Sequence, residues 1–363
     1  MVMARKLVLL IVICAAALVP ARAVADIPRG FIGISPQSAA NASDYRLMSE
    51  AKISSARVLL SWTAVQSKSP YLADPQWKGF DHEVTIAARE GIRVMPTVFG
   101  TPGWAAAKPN VLPVRTPLQR WSWASFLRAA AERYGKEGEF WEEHPELSYL
   151  PILRWEIWNE QNIVSFDADP KPARYAMLLR ISGRVLKRTD PGAQVIIGGF
   201  FGEPLQIPPN VAIDDYLTRI YKAGNVKPWF DGVGLHPYVA TAGEIVAQMS
   251  TLRRVMRAHR DAATPIYVTE LGWGSAPGPT RWEAGLFGQA EQLDRAMRLI
   301  SANRLRWRVR GVWWYSWSDE GGTCSFCRSA GLLTADRKAK PAWYRFNEWT
   351  GGDASVVPRA GGE

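Results

Sequence analysis

Along residues 26–353 the chain alternates short apolar runs with longer amphipathic stretches rich in Ala, Arg and Leu. The short runs fall at 30–35, 56–62, 92–99, 152–158, 194–199, 232–236, 266–271 and 311–317. Apolar on both faces, they read as parallel strands covered by helices. The helical stretches fall near 39–52, 80–90, 117–134, 172–189, 214–223, 242–260, 281–303 and 342–349. Pro117 and Pro172 sit near first turns, Gly91 and Gly135 just past helix ends, and Asp190-Pro191-Gly192 is a stop. Such a run of βα units predicts an α/β fold, a single-domain (β/α)8 or TIM barrel over residues 26–353. A doubly wound open sheet is the alternative. It would want a Gly-rich phosphate turn after the first strand, and 30–36 offers none.

The two ends fall outside this pattern. Arg5 and Lys6 precede an apolar run over 7–19, ended by Pro20 and followed by Ala23-Val24-Ala25. That is a secretory signal over residues 1–25, with cleavage before Asp26. A retained anchor is the alternative, although the run is shorter than the ~20 residues of a membrane span. Residues 354–363 are expected to form a flexible tail. An exported protein of the periplasm, cell envelope or medium is expected, monomeric and without a stable membrane span once the leader is gone.

Loss of Arg5, Lys6 and Arg22 with the leader lowers the formal charge from +10 to +7. No run of basic residues or nucleic-acid motif accompanies it, so a nucleic-acid partner is not expected. Outside the leader two cysteines remain, Cys324 and Cys327. With four histidines and no second Cys pair, a zinc site is disfavoured, and export favours a local disulfide between them. The 17 tryptophans exceed what packing usually recruits, and indoles stack on sugar rings as well as in cores.

Two runs end on carboxylates. Residues 153–162 read LRWEIWNEQN and place Glu160 after the fourth strand, while 265–273 read PIYVTELGW and place Glu270 on the seventh. Loops that follow barrel strands, here 101–116, 200–213, 272–280 and 318–332, build the face on which barrel sites lie. The acids of 139–150 precede a strand and are expected at the opposite end as a solvated surface. Two carboxyls on different strands, one protonated and one ionised, are what glycoside hydrolysis requires. No cofactor and no metal are expected: His236 stands alone and no H-E-x-x-H occurs.

Trp158-Asn159-Glu160 and Thr269–Trp273 together resemble the retaining clan of barrel glycoside hydrolases that pairs glutamates from strands four and seven. Within it the chain is most similar to family 39-type glycosidases and related endoglycosidases of bacterial exopolysaccharides. ARVLLSW at 56–62, TPGWA at 101–105, TDPGAQVIIGG at 189–199 and HPY at 236–238 carry the likeness in order. Gln161 departs from it, where the motif has Pro. The resemblance implies that Glu160 is the acid/base and Glu270 the nucleophile in cleavage of a β-glycosidic bond of a poly- or oligosaccharide. It implies that Asn159 holds the sugar 2-hydroxyl, that Arg57 and Tyr238 orient Glu270, and that Trp317 floors the reacting sugar. His236 is expected at the rim, and Trp62, Trp104 and Trp273 in the cleft walls.

Each role has a plainer competitor. Arg57 could serve only as the partner of Glu156, which shares a face with Glu160 and is expected buried and paired. The tryptophans could be core, and Glu203, Asp319 and Glu320 are expected to be solvated loop acids. Strict alternation sends Asn159 and Glu160 to opposite faces, so the strand must end or bulge after Trp158. A catalytically silent glycan-binding protein and a metal-dependent hydrolase are the functional alternatives.

Overall fold

A computed structural model describes residues 27–38, 40–69, 74–203, 207–320, 324–353 and 355–356. The expected leader, and all of the expected tail but 355–356, lie outside these residues. Eight parallel strands close into a barrel in chain order: β1 (Ile32–Ser35), β2 (Ser55–Ser61), β3 (Arg93–Phe99), β4 (Arg154–Ile157), β5 (Gln194–Phe201), β6 (Gly232–His236), β7 (Ile266–Leu271) and β8 (Val309–Tyr315), with β8 returning to β1. All eight strands expected from the apolar runs are present, and the open sheet is excluded by the closure.

Helices separate every pair of consecutive strands: α1 (Ala42–Glu50), α2 (Trp62–Val65), α3 (Lys78–Arg89), α4 (Pro117–Tyr134), α5 (Glu139–Glu143), α6 (Pro172–Thr189), α7 (Ile213–Lys222), α8 (Ile245–Ala258) and α9 (Leu286–Trp307), with α10 (Pro341–Thr350) after β8. Pro117 opens α4 behind a capping box in which Thr116 Oγ1 accepts from Gln119 N. Part of the acidic stretch before β4 is helical, as α5. The largest boundary error is at α9, which starts at Leu286 rather than near 281. Glu283 turns back to accept from Thr280 N at 2.7 Å and holds that stretch as a loop. Among the described residues no helix is long and apolar enough to cross a membrane.

The barrel interior has an apolar layer of Met95, Ile196, Tyr267 and Trp313. A layer of polar groups from Ser35, Arg57, Thr97, Glu156, His236 and Thr269, all buried, shares the interior. A polar layer in a core must be paired internally, because water cannot reach it.

Candidate active site

β4 ends at Ile157, earlier than its apolar run suggests, and Trp158 and Glu160 adopt φ of +74° and +39°. These left-handed residues break the alternation, and Glu160 N donates to Gly199 O at 3.0 Å. The break sits at Trp158 itself, and it brings Asn159 and Glu160 to one site. Trp158 is fully buried, its indole N–H given to Phe166 O at 2.7 Å.

Arg57 links the carboxylates. Its Nε donates to Glu156 Oε2 at 2.5 Å, Nη1 to Glu270 Oε1 at 2.6 Å, and Nη2 to Asn159 Oδ1 at 2.7 Å. It is thus both the structural partner of Glu156 and the orienting partner of Glu270. Because a guanidinium only donates, it fixes the Asn159 amide with its NH2 turned away from Arg57. Tyr238 Oη donates to Glu270 Oε2 at 2.6 Å. Both oxygens of Glu270 therefore receive a donor.

His236 is fully buried between the two glutamates, not at the rim. Its Nδ1 lies 2.8 Å from Glu160 Oε1 and 3.6 Å from Glu270 Oε2, and Nε2 lies 3.0 Å from Thr269 Oγ1. With Nε2–H donating to Thr269, a neutral imidazole would present Nδ1 as an acceptor to Glu160. That tautomer suits a protonated Glu160.

The charges follow from burial and neighbours. Burial would raise Glu156, but the Arg57 charge, with Thr97 and Thr269, brings it below the ordinary carboxylate range. Burial works against the charge on Arg57, yet Glu156 and Glu270 hold it protonated. Burial also keeps His236 neutral, by lowering its pKa. Burial pushes both Glu160 and Glu270 up, and at Glu270 Arg57 and Tyr238 oppose this. Glu160 has no direct cationic donor, so the proton shared by the pair belongs on Glu160.

Glu160, His236 and Glu270 bring one ligand-type atom each within 4.8 Å of one another, a set that by number could hold a cation. The guanidinium 2.6 Å from Glu270 repels one, and the Glu270 oxygens are already engaged. The donor set fits proton transfer better than metal binding.

Gly199 makes this packing possible. Its N–H donates to Glu156 Oε1 at 3.0 Å, and a Cβ there would lie 2.0 Å from His236 Nε2. Gly199→Ala is expected to displace the imidazole and lower kcat by roughly 10²-fold, the effect of a misplacement near 1 Å. An unchanged kcat with an unchanged unfolding midpoint would refute the contact.

Three tryptophans do not reach the cleft. Trp62, Trp273 and Trp317 are buried to within 1%. Their indole N–H groups go to Gln66 Oε1, Val239 O and Asp44 Oδ1. Trp62 packs among Trp123 and Phe126, and Trp317 stands edge-on to Trp343. Trp104 alone of the four candidates keeps exposed surface, with its edge on Trp62. The aromatic residue of β8 that lies beside the carboxylates is Tyr315, where the strand ends. Tyr315 is half-buried, its ring 6.3 Å from that of Tyr238, and burial with the charges of Glu270 and Glu160 raises its hydroxyl. Ser316 follows Tyr315 and Trp317 comes next, an alternation that a continuing strand would also show, so the strand's end was not marked.

The top-face acids are less free than expected. Asp319 receives Lys340 Nζ at 2.7 Å and Gly331 N at 3.0 Å, and Lys340 is 2% exposed. This pair ties the loop after β8 to the start of α10. Glu203 pairs with Arg281 at 3.1 Å, and Glu320 accepts from Ser318 at 2.9 Å. Cys324 and Cys327 form the expected disulfide, packed beside Phe326, whose ring lies 5.0 Å from Tyr238.

No family model and no curated protein matches this chain. Solved structures do. A family 39 glycoside hydrolase from Bacteroides cellulosilyticus WH2 is 22% identical, with 90% of this chain covering 63% of that one at TM-score 0.65. A monomeric β-xylosidase from Caulobacter crescentus CB15 is 18% identical, over 88% and 68% of the two chains, at 0.60. An exo-β-1,4-mannosidase from Opitutaceae bacterium strain TAV5 is 14% identical, over 89% and 59%, at 0.61. The chain thus spans less than two thirds of the first and third of these proteins. What this likeness shows is the barrel fold.

Proposed function

We propose that the chain is a retaining glycoside hydrolase that cuts a β-glycosidic bond of a poly- or oligosaccharide, similar to family 39 enzymes. The observation that carries the reading is the pair Glu160, just past β4, and Glu270, on β7, with oxygens within 4.8 Å and unlike hydrogen-bond partners. Carboxyls this close suit a nucleophile and an acid, whereas an inverting pair stands ~6.5–9.5 Å apart to admit water. The solved glycosidases of the same fold support it.

In this mechanism Glu270, held ionised by Arg57 and Tyr238, attacks the anomeric carbon as Glu160 gives its proton to the leaving oxygen. The leaving group departs as an alcohol, and a glycosyl ester forms on Glu270. Glu160, now ionised, takes a proton from water, which attacks the same carbon and frees Glu270. The NH2 of Asn159 is the donor for the sugar 2-hydroxyl, a contact that strengthens in the transition state. Removal of the leader would deliver the enzyme as a monomer outside the cytoplasm.

Screening neutral and acidic polysaccharides, with product sizing and the anomeric configuration read by proton NMR, tests the proposal. Net retention is expected. An inverted product from the wild type would contradict it, and binding without turnover on every glycan would favour the silent glycan-binding protein.

A further inference from the structure

The face opposite the catalytic mouth holds a cavity of about 980 Å³ where the strands begin. Six arginines line it: Arg29, Arg93, Arg154, Arg304, Arg308 and Arg310. Arg93 and Arg154 open β3 and β4, and Arg310 is the second residue of β8. Parallel strands bring these starts to one end of the barrel. The floor includes Tyr267, and the Arg154 guanidinium lies 5.8 Å from the centre of its ring.

The charge is one-sided. Asp231 is the one acid in the lining, and it is already occupied by Lys187 Nζ at 2.7 Å and Val195 N at 2.9 Å. Among the described residues Arg29, Arg93, Arg154, Arg308 and Arg310 form no ion pair, although Arg308 Nε donates to Ala263 O at 2.8 Å. Like charges gathered in a concavity repel one another and raise the local concentration of anions. The basic lining is all arginine and contains no lysine. Planar guanidinium forks match carboxylates bidentately and lie flat against ring faces, which ammonium groups do not. Ser54, Ser55 and Gln194 add neutral groups able to bond hydroxyls.

From these features we infer that the bowl is a second, non-catalytic glycan site that holds an acidic polysaccharide through its carboxylates. Guanidiniums take the acid groups and the serine and amide groups take hydroxyls, a mixture suited to sugar acids. A concavity admits a few sugar rings, whereas a flat bilayer touches only its rim. The choice of a glycan rests on the proposed hydrolase activity, while the binding itself is read without turnover. Placed behind the barrel, the site would hold the enzyme on an acidic matrix and leave the cleft free.

The test uses Glu270→Gln, alone and combined with Arg93→Gln, Arg154→Gln and Arg310→Gln, three exposed side chains away from the polar layer. Binding to polygalacturonate is measured by calorimetry, with its fully methyl-esterified form as the uncharged control. Polygalacturonate is expected to bind, to weaken by roughly tenfold or more in the combined variant, and to weaken further as salt is raised. The three arginine substitutions in the active enzyme should leave the unfolding midpoint, and turnover of any neutral substrate the panel identifies, unchanged. Equal binding by both variants, or equal binding of the methyl ester, would overturn the inference. So would tripolyphosphate or phosphatidylglycerol vesicles binding more tightly than polygalacturonate with the same arginine dependence. Loss of hydrolysis by the wild type would strike the proposed function and leave this binding result standing.

Discussion

Glu270→Gly is expected to lose hydrolysis by on the order of 10⁴-fold or more, as when a group that forms the covalent intermediate is removed. The substitution leaves a space where the carboxylate stood, beside Arg57 and Tyr238, both donors. Azide can enter it as a small anion and attack the anomeric carbon in place of the missing oxygen. Turnover should then return, with a glycosyl azide of inverted configuration as product, measured by NMR. Glu160 remains to protonate the leaving oxygen, so rescue should be greatest where Glu160 holds its proton. If azide instead rescued Glu160→Ala with an inverted product and did nothing at Glu270→Gly, the two roles would be exchanged.

Arg57→Met is expected to cost about 3–5 kcal/mol of stability at neutral pH, the usual result of stranding a buried charge. Arg57 is 6% exposed, and its loss leaves Glu156, which is fully buried, without its cation. The pH dependence carries a sign. In the wild type the folded-state pKa of Glu156 is depressed, so its pairing stabilises the fold above the unfolded carboxylate value near ~4.3. That contribution fades as pH falls through the folded value. In the variant only neutral donors, Thr97 and Gly199 N–H, oppose burial at Glu156, which then takes up a proton more readily. The deficit relative to wild type should be largest at neutral pH and shrink as the medium becomes acidic. Urea unfolding of both proteins at neutral and at acidic pH measures it, and a deficit that stayed constant would mean that the charge pairing is not what Arg57 supplies. Activity should fall as well, because Glu270 loses one of its two donors.

The composition of this site explains why so much of it could be read along the chain. A buried acid inside a strand, Glu156, demanded a cation, and Arg57 lies on another strand with the same inward face. β7 runs through Glu270 and so placed it, although its pairing with β8 shifts register between Val268 and Leu271, a break that nothing in the sequence marks. Asn159 and Glu160 could be placed only with a condition attached, that the strand break before them. The positive φ at Trp158 meets it, but a single non-glycine residue in that region carries no signature in its neighbours.

Aromatic residues were where the reading failed, and for a physical reason. Indoles have an apolar body and one donor, so they serve a core and a sugar cleft equally well. Trp62, Trp273 and Trp317 find carbonyl, amide or carboxylate partners inside the fold, and only the assembled barrel shows that they do. Tyr315 is hidden in the sequence because Trp317, two residues on, continues the strand alternation, whereas β8 ends at Tyr315. Asp319 looked solvated because its partner, Lys340, is distant in sequence and unusually buried.

By itself, then, the sequence determined the eight-fold βα alternation, the strand ends that carry Glu160 and Glu270, and the need for an internal cation. Those features depend on period and on burial of charge, both local in the chain. Tertiary structure alone decided that His236 lies between the carboxylates, that Tyr315 lies beside Tyr238, and that six arginines meet behind the barrel. Each of these depends on closure, because only a closed barrel brings all its strand ends to two common faces.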